Sequence, residues 1–122
     1  MTRINAAIKP AELPSKLLLA ELREIKRIPN TINKAKLEGI PEVFRLGGGH
    51  VKFFYDKGLY TLKRYLALRG ESINRGFNVQ DFSGAWDNYP KELMNDWVET
   101  ESARQLIIER IQSKGFELLV IR

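Results

Sequence analysis

Apolar residues recur in this chain at helical spacing in three separate stretches, with proline and glycine between them, so a packed set of helices is the fold the pattern permits. From Pro14 to Arg27 the stripe is Leu18, Leu22 and Ile25, flanked by Leu17 and Ile28, with Pro14 and Ser15 as start signals. Pro29 has no amide proton and restricts Ile28, so the first helix is expected to bend or stop there before a weaker turn through Ile32 and Leu37. Gly47-Gly48-Gly49 then leads into a second periodic stretch, His50 to about Asn74, populated by Phe53, Phe54, Leu59, Leu62, Tyr65, Leu66 and Ile73. Gly58 and Gly70 are its candidate breaks and Gly76 its end. Residues 77–98 place Asn78, Ser83, Gly84 and Pro90 among Phe82, Trp86, Tyr89 and Trp97, which reads as a long packed connection with short helical turns. A third helix is expected from about Thr100 to Lys114, with Leu106, Ile107 and Ile111 inward and Gly115 as its stop. The tail, Phe116 to Ile121, alternates weakly and reads as a short strip over the core. The fold class is all-α, in one domain over residues 1–122.

Composition narrows the chemistry more than the fold. Twenty Lys and Arg against 15 Asp and Glu give a net charge of +5, which favours a polyanionic partner. With no cysteine and a single histidine, His50, the chain has no disulfide framework, thiolate zinc site, cysteine nucleophile or multi-histidine metal centre. No Asp-rich loop has the spacing of a Mg²⁺ or Ca²⁺ site, so chemistry without metal or cofactor is the expectation. The longest clean apolar run, Leu17 to Ala20, is far too short to cross a bilayer, and a soluble cytoplasmic protein is expected.

The first helix carries the most informative constellation. Leu18, Leu22, Ile25 and Ile32 share one side; Lys16, Ala20, Arg23 and Arg27 lie opposite. Glu24 falls at the boundary, beside the guanidinium groups of Arg23 and Arg27, where a charged-substrate site would use a carboxylate. The same residues also fit a solvated face on which Glu24 pairs locally. Glu21 falls inside the apolar arc, so it needs an internal basic partner or the helix phase is wrong. At the start of the chain, Met1-Thr2-Arg3 has a small second residue of the kind that permits removal of the initiator methionine. An α-amine on Thr2 would titrate near 7.7–8.0, lowered by nearby cations such as Arg3, and a neutral amine can attack an electrophilic carbon to form an imine. For Gly47 to His50, a phosphate-binding helix start and a tight turn with a packed histidine are both open, and the turn is favoured because neither nucleotide-binding glycine motif is matched. The aromatic groups Phe53-Phe54-Tyr55 and Trp86, Tyr89 and Trp97 read as core rather than base-stacking residues.

Three blocks together resemble the phage-type pyrimidine-dimer DNA glycosylases with abasic-site lyase activity, the endonuclease V of UV repair. They are Met1-Thr2-Arg3-Ile4-Asn5, Leu18-Leu19-Ala20-Glu21-Leu22-Arg23-Glu24, and the stretch from Leu46 to Asn78 containing Gly49-His50-Val51-Lys52-Phe53-Phe54-Tyr55-Asp56-Lys57 and Arg75-Gly76-Phe77-Asn78. A softer likeness runs from Pro90 to Lys114. The resemblance implies three main helices, with the N-terminal segment threaded between helices, and damaged double-stranded DNA as the partner, met by a monomer. It implies that the Thr2 amine attacks C1′ of the damaged nucleotide, that the base leaves, and that β-elimination from the Schiff base nicks the strand. Glu24 would assist, and Arg3, Arg23, Arg27, Arg110 and Lys114 would hold the DNA. Three features depart from that pattern. Leu17 stands where such proteins carry a histidine, the chain is shortened before Leu46, and the tail Phe116-Glu117-Leu118-Leu119-Val120-Ile121-Arg122 lacks their aromatic and lysine-rich ending. A different lesion, abasic sites alone, a non-catalytic binder of distorted duplex and a basic protein-interaction module therefore stay open as alternatives.

Overall fold

The computed structural model describes residues 4–121. Helix α1, Ser15–Ile25, buries Leu18, Glu21, Leu22 and Ile25 against α3, Gly58–Asn74. The expected apolar stripe is therefore the packing face. The break after it falls at Lys26, upstream of Pro29, and a second short helix, α2, spans Arg27–Thr31 with Pro29 inside it. The physical reason is positional. Pro29 has no amide to give the Ile25 carbonyl, which ends α1, while the third residue of a new helix has no internal acceptor for its N–H anyway.

The second periodic stretch divides where Gly58 permits it, into a 3₁₀ turn at Lys52–Phe54 and α3. The α3 face turned inward carries Tyr60, Thr61, Arg64, Tyr65, Leu68 and Ser72, three of them polar, and this corrects the apolar assignment. Leu66 and Ile73 point outward and are about half exposed. Thr61 and Ser72 are tolerated because Thr61 bonds the Gly58 carbonyl and the Trp86 indole N–H, and Ser72 bonds the Leu68 carbonyl.

Helix α4, Glu101–Ser113, begins at Thr100, whose hydroxyl accepts the Ala103 amide at 3.1 Å. It buries Ala103, Ile107 and Ile111, a cleaner i, i+4 series than the one expected; Leu106 lies off that line and is exposed. The connection between α3 and α4 holds only 3₁₀ turns, Ser83–Trp86 and Lys91–Leu93, stapled by buried Trp86 and Tyr89. Trp97 packs edge-on against Phe53, Phe54 and Tyr60 and stacks on Phe44, so these aromatics are core. The tail's Phe116 N–H bonds the Ile111 carbonyl at 3.2 Å and its Leu119 N–H the Glu12 carbonyl at 2.7 Å, and no strand forms among the described residues. No described helix is long and apolar enough to cross a membrane.

Candidate active site

Helices α1 and α4 flank a cavity of about 340 Å³. Leu17 and Ala20 from α1, Ile111 from α4 and Phe116 beyond it form its apolar wall. Arg23 and Glu24 from α1, with Arg110 and Lys114 at the end of α4, supply its charges. Four residues singled out from the sequence thus meet around one space, although two come from each end of the chain. Arg27 does not line it but reaches Glu24 across one helical turn, 3.1 Å from guanidinium nitrogen to carboxylate, and is itself largely exposed. Glu24 keeps a quarter of its side-chain surface accessible. Arg23, Arg110 and Lys114 on the lining and Arg27 beside it outnumber Glu24 and the inner, Arg64-paired Glu21, so the mouth is electropositive, a field that draws phosphates towards Glu24. Thr2 and Arg3 lie outside the described residues.

Asn5 and Glu21 form the inner side of the same cavity, and here the N-terminal peptide is gripped. Ile4, Asn5, Ala6 and Ile8 are all buried. Arg64, projecting from α3, bonds the Glu21 carboxylate at 2.7 and 3.0 Å and donates to the carbonyls of Asn5 and Ile8. The partner that Glu21 required is therefore Arg64, and the helix phase was right. Burial works against the charge of Arg64, but the Glu21 carboxylate and the hydrogen bonds of the pair outweigh it and raise its pKa above the ordinary arginine value. Further along, Glu99 accepts the Ala7 amide at 3.0 Å and Arg104 donates to the Ala7 carbonyl at 3.2 Å, holding Ala7 at a φ of +66° that side chains seldom adopt.

His50 holds the other end of this peptide. The Gly47 and Gly49 backbones, at φ of +70° and +85°, make the tight turn that delivers it inward, and a side chain on Gly49 would crowd Pro41 at 3.2 Å. The Ile4 amide donates to its Nε2 at 3.3 Å, and its Nδ1 lies 2.9 Å from the Arg45 carbonyl. The turn-and-packing reading of this segment is the observed one. Sequence reasoning did not find Arg64 or the bonds of His50, because both act on backbone atoms more than forty residues away. Among the described residues no three His, Asp or Glu side chains gather as a metal-ligand set.

Fold and site together define a helical domain with a carboxylate set in a cationic cavity, an arrangement suited to working on a polyanion. The chain belongs to the pyrimidine dimer DNA glycosylase family, whose model matches residues 1–83 of its 122. It is by family a DNA glycosylase, an enzyme whose substrate is damaged DNA. Arg23, Glu24, His50 and Arg64 fall within the matched stretch; Arg110, Lys114 and Phe116 lie beyond it and are brought to the cavity by α4.

Proposed function

We propose that this protein excises a cyclobutane pyrimidine dimer and then nicks the resulting abasic strand, using the α-amine of Thr2 freed by removal of Met1. The amine nitrogen bonds C1′ of the damaged nucleotide as the glycosidic bond breaks, and the departing base takes the electron pair and a proton. The sugar ring opens to give an imine between Thr2 and C1′. Loss of a C2′ proton then expels the 3′ phosphate, and water returns the amine and releases an unsaturated aldehyde. Glu24 stabilises the cationic sugar and relays protons, while Arg23, Arg27, Arg110, Lys114 and Arg3 hold the phosphates. The whole chain acts as one domain, as a monomer and in the cytoplasm.

The observation that carries this reading is the position of Asn5 on the wall of the Glu24 cavity. Three residues of chain span at most about 11 Å, so an amine at residue 2 would be tethered close to that cavity, which supports the reading. Burial of Ile4 to Ile8 against α1, α3 and α4 side chains supports an N-terminal segment threaded between the helices.

The test is borohydride trapping with processed protein on duplexes carrying a cyclobutane dimer, an abasic site or no damage. A covalent adduct mapped to the N-terminal peptide with the dimer and abasic duplexes is the expected result. Trapping on abasic DNA alone reassigns the lesion, and salt-sensitive retention without any adduct reduces the protein to a binder. Thr2→Pro, or one residue inserted before Thr2, abolishes trapping and leaves the thermal transition in place; full activity in both variants refutes the amine.

A further inference from the structure

Apart from the Ile8 N–H bond to the Asn5 carbonyl within it, the described polar contacts of residues 4–8 are to side chains of other elements, and only one of these is a neutral group whose protonation would reverse its role. Ile4 N–H must be the donor in its bond to His50, so Nε2 presents a lone pair. The proton is then on Nδ1, where it points at the Arg45 carbonyl 2.9 Å away. Edge-on rings of Phe44 and Phe54 close the imidazole in, and it is only 2 % exposed.

We propose that His50 is a positioning residue for the nucleophile: its Nε2 lone pair fixes the Ile4 amide and thereby aims the chain two residues upstream at the Glu24 cavity. This rests on the reading that the Thr2 amine is the reacting group. Two residues span at most about 7 Å, so the position of the Ile4 amide sets the centre of the small volume that amine can search. Misplacement of a reacting atom by about 1 Å costs on the order of 100-fold in rate. A protonated Nε2 would face the Ile4 N–H donor against donor and would release the peptide. Burial lowers the imidazole pKa and the Arg45 carbonyl raises it; of the charged groups among the described residues, Arg110 of α4 lowers it and Glu21 of α1 raises it. The net effect keeps His50 neutral, and the clamp closed, at neutral pH.

The experiment is single-turnover borohydride trapping on an abasic duplex by wild type, His50→Leu and His50→Gln. Affinity is measured in parallel on a duplex with an uncleavable tetrahydrofuran site. Leucine removes the acceptor, whereas the glutamine carbonyl can reach the Ile4 amide and has no proton to gain. The expected result is a trapping rate down roughly 100-fold in His50→Leu, with affinity unchanged, and substantial recovery in His50→Gln. Below the pKa values of both amine and imidazole, the logarithm of the wild-type rate falls with a slope of about two per pH unit, and that of His50→Gln with a slope of about one. Equal rates and equal slopes in all three proteins, with the adduct on the N-terminal peptide, overturn the role of His50 and leave the amine standing. A wild-type adduct absent from that peptide overturns both. Should His50→Leu fail to bind the duplex, ¹⁵N spectra of the wild type decide: a protonated Nδ1 and bare Nε2 uphold the clamp, and an Nε2–H tautomer removes it.

Discussion

Glu21 on α1 and Arg64 on α3 pair across the core at 2.7 and 3.0 Å with almost no surface left to water, and Arg64 uses the rest of its fork on the Asn5 and Ile8 carbonyls. Taking away one member strands a buried charge, which costs about 3–5 kcal/mol. Arg64→Met is therefore expected to lose most of the protein's stability in urea unfolding. Arg64→Lys recovers little, because a single ammonium cannot serve a carboxylate and two carbonyls in one plane. A loss below about 1 kcal/mol for Arg64→Met would show that the hub contributes nothing beyond packing.

Glu24→Gln preserves the size of the side chain and removes its charge from the cavity. Strand nicking is expected to fall by on the order of 100-fold or more, with affinity for a tetrahydrofuran duplex near that of wild type. A parallel drop in melting temperature and affinity, without a selective loss of nicking, would identify Glu24 as a helix-pairing residue for Arg27.

Arg23, Arg110 and Lys114 reach the same cavity from two helices. If each neutralises one phosphate, each alanine variant lowers the slope of log affinity against log salt by about 0.9. Arg27→Ala is expected to do the same and also to loosen Glu24. Titrations at several salt concentrations read this directly, and a cation whose removal leaves the slope unchanged makes no phosphate contact.

Glu12 and Arg104 form a forked pair at 2.8 and 2.9 Å that ties the first turn of the chain to α4. The Arg104 hydrogen bonds hold the Glu12 carboxyl below its ordinary value. A depressed carboxylate stabilises the fold above its unfolded pKa and loses that contribution as pH falls through the folded one. Arg104→Gln is thus expected to cost about 1 kcal/mol more at pH 7 than once the carboxyl is protonated, the lost bond to the Ala7 carbonyl being common to both. Denaturant midpoints at pH 7 and pH 3 check the sign; a gap that widens in acid contradicts it.

Gly58 and Gly70 both lie in α3, yet they should respond oppositely to alanine. A Cβ at Gly58 would stand 2.6 Å from Met94 Sδ and 2.7 Å from the Tyr89 ring, whereas at Gly70 it meets nothing within 4 Å. Gly58→Ala is expected to destabilise by about 1–3 kcal/mol and Gly70→Ala to stabilise by up to about 1 kcal/mol. Thermal melts of the two variants moving in the same direction would contradict this placement.

What the sequence disclosed was local. The Leu18, Leu22, Ile25 stripe, the Thr100 start of α4 and the neighbourhood of Arg23, Glu24 and Arg27 follow from a period of 3.6 residues and need no tertiary knowledge. Leu66 and Ile73 depart from the expected packing because apolarity alone does not set helix phase when Thr61, Arg64 and Ser72 occupy the buried face, and Leu106 on α4 falls off the Ala103, Ile107 and Ile111 line. The misfit of Glu21 announced a hidden cation, but its identity depended on α3 crossing α1, which no spacing within α1 encodes. The cavity was half legible in the same way: α1 advertised its charges, while the wall supplied by Ile111 and Phe116 existed only once α4 was in place.

The bonds that seat residues 4 to 8 reach partners 46, 59 and 97 positions further along the chain. Such distant closures form late, after the helices that carry the partners have met. The segment from Ile4 to Ile8 is accordingly expected to seat last. On the proposed amine mechanism, an incompletely matured copy would already display its basic face, and so would grip duplex without cutting it, occupying lesions it cannot repair.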